Sequence, residues 1–125
     1  MSTETPKKIW TRDEIDSLLM RSDNAVMRAI IRIFELQTLD EQTATRTKHE
    51  NSVGFSAADA KAGTLFAQYL LGFDKNNVKR WHPKPLTHPH ANKVFQRYTH
   101  GGTAIQRARK IALKHSRQLV DIANS

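Results

Sequence analysis

A chain of 125 residues without a cysteine can bury one modest core, and it offers no disulfide framework, thiolate zinc site or cysteine nucleophile. Its net charge of +8 is unevenly spread: residues 1–50 hold eight Lys/Arg against nine Asp/Glu, residues 51–125 twelve against three, and residues 72–117 eleven against Asp74 alone. That asymmetry points to phosphates or an acidic partner protein, and the lack of an apolar leader or a run of about 18 apolar residues leads us to expect a soluble, cytoplasmic protein.

Residues 1–9 are polar, carry Pro6 and are expected to form a mobile arm before a single domain over 10–125. Thr11-Arg12-Asp13-Glu14 is a capping box, with Ile15, Leu18 and Leu19 as the apolar edge of a helix over Trp10–Arg21. Ser22-Asp23-Asn24 offers a second cap. The helix expected over Asp23–Gln37 has a wide apolar surface (Ala25, Val26, Ala29, Ile30, Ile33, Phe34, with Met27, Ile31 and Leu36 around it), as the central helix of a bundle would. Arg28, Arg32 and Glu35 form its solvated strip. Thr38–Glu41 fits a further capping box, predicting a short separate helix before a connector around Lys48.

The next start signal is Ser56-x-x-Asp59, preceded by Gly54-Phe55, a turn that tolerates positive φ followed by an apolar residue able to staple onto the helix. The helix is expected over Ala57–Leu71, with Ala58, Ala62, Leu65, Phe66, Tyr69 and Leu70 inward, and with small residues elsewhere that admit a close neighbour. The run Gln37–Ala60, QTLDEQTATRTKHENSVGFSAADA, together with Ala108–Asn124, ARKIALKHSRQLVDIAN, resembles a family of small uncharacterised phage and prophage proteins. With Trp10–Arg32 more loosely included, the resemblance covers about two thirds of the chain. It implies a life inside an infected bacterium and says nothing of chemistry. Residues 73–101 look like an elaboration onto which nothing carries over.

Residues 73–102 gather Asn76-Asn77, three prolines and Gly101-Gly102, and read as a long basic loop interrupted by a short helix over Ala91–Tyr98, with Val94, Phe95 and Tyr98 inward and Lys93 and Arg97 outward. Lys79, Arg80, Trp81 and Lys84 set an aromatic ring among cations, a group that can stack on a base while the cations hold phosphates; equally, Trp81 can pin the loop to the core. The last helix, Ala104–Asn124, starts at a Thr103–Gln106 capping box. Ile105, Ala108, Ala112, His115, Leu119 and Ile122 fall within an arc of about 100°, opposite Arg107, Lys110, Lys114 and Arg117. That ridge is roughly 15 Å long, enough to track several phosphates, or else is a solvated outer face.

Catalysis finds little support. His82, His88 and His90 lie in one run in which the His-x-His pair at 88 and 90 could offer two nitrogens to a metal, but no acidic residue stands near them and a structural site needs three or four ligands. His115 reads as a core histidine. Asp59-x-Lys61 is similar to the acid–lysine pairing of metal-dependent nucleases, yet at a helix start capping explains the Asp and solvent exposure the Lys; Asp40, Glu41 and Glu50 would join it only if the fold gathered them. No phosphate loop, GxSxG elbow or HExxH pair is present. We therefore expect an all-α, compact bundle of four to five helices with a long basic loop, binding nucleic acid without catalysis or cofactor through Lys79, Arg80, Trp81, Lys84, Lys93, Arg97, Arg107, Lys110, Lys114 and Arg117. The alternatives are an inhibitor docking the same surface on an acidic host protein of defence or transcription and, more remotely, a metal-dependent nuclease.

Overall fold

A computed structural model describes residues 9–43 and 54–125. Among the described residues there are seven helices, α1 (Arg12–Arg21), α2 (Asp23–Thr43), α3 (Ala60–Leu71), α4 (Pro89–Val94), α5 (Gln96–Thr99), α6 (Ala104–Lys114) and α7 (Ser116–Asn124), and no strand beyond an isolated antiparallel bridge between Phe73 and Lys79. The protein is an all-α bundle. Residues 1–8 of the expected arm over 1–9, the connector around Lys48, and His49, Glu50 and Asn51 lie outside the described residues.

α1 starts at its capping box: the Glu14 N–H donates to Thr11 Oγ1, and the Thr11 N–H donates to Glu14 Oε1 at 3.0 Å. Ile15 and Leu19 turn inward. Ser22 breaks the helical run and its Oγ accepts from the Ala25 N–H at 3.1 Å, starting α2. The wide apolar surface of α2 is used in full: Val26, Ala29, Ile30, Ile33 and Phe34 are buried, and the helix packs against α1, α3, α6 and α7. A new helix at Thr38 does not form. Thr38 Oγ1 instead donates back to the carbonyls of Phe34 and Glu35 at 3.2 and 3.0 Å, a bond a helix accommodates in its interior, and α2 runs on to Thr43.

α3 begins three residues later than its Ser-x-x-Asp pattern predicts. Ser56 closes a turn, with the Asp59 N–H donating to Ser56 O at 2.9 Å, and Asp59 becomes the N-cap without using its side chain as a cap. Ala58, expected inward, is therefore exposed. At the other end Gly72 adopts φ 77°, and the Phe73 N–H reaches back to Gln68 O at 2.8 Å, a Schellman closure. Phe66 and Tyr69 of α3 meet Phe95 edge-on, with centroids 4.8 and 5.2 Å apart.

The single short helix expected over Ala91–Tyr98 is two, α4 and α5, joined at Phe95. His88 is the N-cap of α4, its Nδ1 accepting from the His90 N–H at 3.0 Å, with Pro89 in the first turn. Phe95 is buried, but Val94, expected inward, is 48% exposed, because the break at Phe95 turns it away. The last helix is likewise interrupted, at His115, whose backbone leaves helical geometry (φ −106°, ψ 21°) between α6 and α7. Ala108, Ala112, His115 and Leu119 are nevertheless buried. The two ends of the domain are tied together by Asn124: its side chain accepts from the Trp10 N–H at 2.7 Å and donates to Trp10 O at 2.9 Å. Among the described residues no helix is long and apolar enough to cross a membrane.

Candidate nucleic-acid interface

Two of the four ridge cations are already engaged. Asp59 is 2% exposed, and its carboxylate meets Lys114 Nζ at 2.8 Å, Arg107 Nη2 at 3.3 Å and the Ser56 hydroxyl at 3.1 Å. Burial pushes the Asp59 carboxyl up, and the hydrogen bonds from Lys114 and Ser56, with the charges of Lys114 and Arg107, outweigh it and hold the group below its ordinary value. Arg107 and Lys114 are seven residues apart, two turns of α6, so both reach the start of α3 from one face. Asp59 is thus the N-cap of α3 by position only: both its oxygens are engaged by Ser56, Arg107 and Lys114. Among the described residues no group of three or more His, Asp or Glu could hold a metal ion.

The chain's return after the connector is fixed by side chains. Gly54 and Gln118 exchange two hydrogen bonds, N–H to Oε1 at 2.8 Å and Nε2 to O at 2.9 Å; the Phe55 N–H donates to Gln37 Oε1 at 3.2 Å; the Ser56 N–H donates to His115 Nε2 at 2.9 Å. With Nε2 accepting, Nδ1 is the ring nitrogen that donates, to Ile111 O at 2.7 Å. Phe55 lies edge-on to the His115 ring, 5.8 Å between centroids. Gln118 and His115 of the last helices thus hold Gly54 and Ser56, and Gln37 of α2 holds Phe55.

The segment after α3 is a built loop. Asp74 organises it: Oδ1 accepts from the N–H groups of Asn76 (2.8 Å) and Val78 (3.0 Å), and Oδ2 from Arg80 Nε (3.0 Å). The Val78 N–H, the Arg80 side chain and the Asn76 N–H together hold its carboxyl below the ordinary value. Arg80 and Trp81 then donate their N–H groups to Gly72 O at 2.8 and 3.0 Å. The loop backbone lies so close that a Cβ on Gly72 would stand 2.1 Å from Trp81 O. Trp81 does not pin the loop to the core; its side chain is 55% exposed. Leu86, fully buried, is the anchor, and its N–H points to Met27 Sδ at 3.3 Å. Nothing in the spacing marks it, since one leucine between prolines has no periodic partner.

The expected binding residues therefore divide. Lys79, Lys93, Arg97, Lys110 and Arg117 are exposed and belong to no ion pair found among the described residues. Arg80 is held by Asp74, and Arg107 and Lys114 by Asp59. Lys84 stands 5.9 Å from the centre of the Tyr69 ring. Trp81, His82 and Lys84 share a cleft with α3, whereas Arg107 and Lys110 line a separate groove of about 500 Å³ between the end of α1 and the α5–α6 turn, with His100, Arg109, Met20 and Leu113. His100 and Arg109 are additions that the sequence reading does not contain. His100 takes φ 54° at the helix end, and Arg109 is fixed by Leu19 O at 2.8 Å and by Asp23.

No protein-family model matches this chain, and no curated protein or solved structure matches it.

Proposed function

We propose that the protein is a non-enzymatic, phage-type nucleic-acid-binding protein. The observation that carries the reading is the groove along α6: His100, Arg107, Arg109 (paired with Asp23) and Lys110 line it and, among the described residues, no acidic side chain does, which is an environment for backbone phosphates. Lys93 and Arg97 on α4 and α5, Lys79 on the Asp74-centred loop, and Arg117 on α7 add exposed cations. Arg107 and Lys114 contribute charge from fixed positions, being tethered to Asp59. Val78, Trp81 and Val94 are exposed apolar side chains, and they favour a second reading, in which the protein docks on an acidic host protein. Labelled DNA separates the two: a nucleic-acid binder retains naked duplex or single strands at low salt and loses them when Lys110→Glu is combined with Arg117→Glu, whereas a protein inhibitor ignores both.

A further inference from the structure

The cleft beneath Trp81 is unlike the α6 groove. It measures about 230 Å³ and is lined by Tyr69, Phe73, Trp81 and Phe95, with Lys75 and Lys84 also on the lining. Drug-sized ligands fill sites of roughly 300–1,000 Å³, so this one suits a single flat ring system. Every nucleobase presents a π-face, and an aromatic wall beside cations takes a base without regard to sequence while the cations meet its phosphates. A base inside a duplex cannot reach such a slot; an unstacked one can. The Tyr69 hydroxyl is buried and has no hydrogen-bond partner among the described residues, so it offers the cleft no accessible donor. The single carboxylate on the lining, Asp74, is neutralised by Arg80, so it does not repel the phosphate that Lys84 and Lys75 can meet.

We infer that the cleft between Tyr69 and Trp81 accepts one unstacked base of a single-stranded nucleic acid, with Lys84 and Lys75 on the adjoining phosphates. The inference rests on the polyanion reading above and adds to it a preference for single strands over duplex. The slot is already built: the loop backbone is fixed at Gly72 and at Asp74, so binding does not have to order it.

The test is a titration of Trp10→Phe protein, whose fluorescence then comes from Trp81, with an oligothymidylate of eight residues and with an abasic oligomer of the same length and charge. Stacking predicts quenching by the oligothymidylate, about ten-fold weaker binding of the abasic strand, and a similar loss of oligothymidylate affinity in Trp81→Ala. Equal binding of both oligomers, with Trp81→Ala unaffected, overturns the slot and leaves a charge-only surface. Failure of both oligomers to bind at low salt overturns the slot together with the nucleic-acid reading. Trp81 is exposed, so Trp81→Ala is expected to fold, and circular dichroism of the variant verifies that its loss of affinity is not a loss of structure.

Discussion

Lys114 Nζ sits 2.8 Å from Asp59 Oδ2, and this pair shows how part of a basic helix face belongs to the fold rather than to a partner. The carboxylate is buried at the start of α3, and α6 supplies Lys114 and Arg107 to it. Replacing Asp59 with Asn or Ala leaves the partly buried Arg107 without its counter-charge. Truncating a hydrogen-bonded, charged group of this kind costs about 2 kcal/mol or more, against the few tenths expected for an exposed pair such as Arg32–Glu35. Urea denaturation of Asp59→Asn measures the difference, and an unchanged midpoint contradicts the role assigned to the cluster.

The same group makes stability depend on acid pH. Because the folded carboxyl titrates below its ordinary value of 3.8, the unfolded chain binds more protons as pH falls through that region. The contribution is complete above the ordinary value and disappears as pH drops through the lower folded value. Stability of the native chain therefore falls more steeply between pH 4 and pH 2, about the titration range of carboxyls, than that of Asp59→Asn. Parallel pH profiles of the two proteins sink the assignment.

Leu86, which the sequence reading leaves unassigned, is the buried anchor of the loop, and Trp81 is exposed. Leu86→Ala removes a fully buried side chain and is expected to cost about 2–4 kcal/mol. Trp81→Ala, at an exposed position, is expected to change stability by less than about 0.5 kcal/mol while weakening nucleic-acid binding. Thermal melts of the two variants check the ordering, and a large loss in Trp81→Ala alone reverses it.

Gly63 decides between two opposing effects. Alanine is about 1 kcal/mol better than glycine inside a helix, but a Cβ at Gly63 would stand 2.6 Å from the Phe55 ring. Phe55 is itself packed against His115 and Gly54 is tied to Gln118, so the ring has little room to retreat. Overpacking of that kind costs about 1–3 kcal/mol, and we expect Gly63→Ala to be a net destabilisation measurable by chemical denaturation. A stabilised variant means the Phe55 ring yields freely.

Helix existence was legible wherever a cap and a 3.6-residue stripe coincide: Thr11–Glu14 before Ile15 and Leu19, and Thr103–Gln106 before Ala108 and Ala112. It failed where a side chain found a better partner through space. Ser56-x-x-Asp59 matches a capping box in spacing, yet Asp59 turns to cations 48 and 55 residues further along the chain, which no local pattern encodes. Thr38 matches one too, but α2 already had carbonyls for its hydroxyl. The basic face of α6 was visible as a stripe of cations at helical spacing. Which of those cations stay unpaired was not, because Asp59 lies outside that stripe and reaches it only through the packing of α3 on α6. His100 and Arg109 entered the groove for the same reason, by the turn at Gly101-Gly102 and the crossing of α1.

The decisive measurement for the proposed function is fluorescence anisotropy of labelled single-stranded and duplex DNA over a range of salt concentrations, with native protein and with Lys110→Glu/Arg117→Glu. Both substituted positions are exposed, so the fold is retained, unlike a variant at Lys114. Phosphate contact by the basic face of α6 and α7 predicts binding that weakens with salt, with a log–log slope of about −0.9 per phosphate contacted on duplex and about −0.7 on single strands, together with its loss in the double variant. Binding that is independent of salt, equal in the double variant, or missing at low salt contradicts that reading.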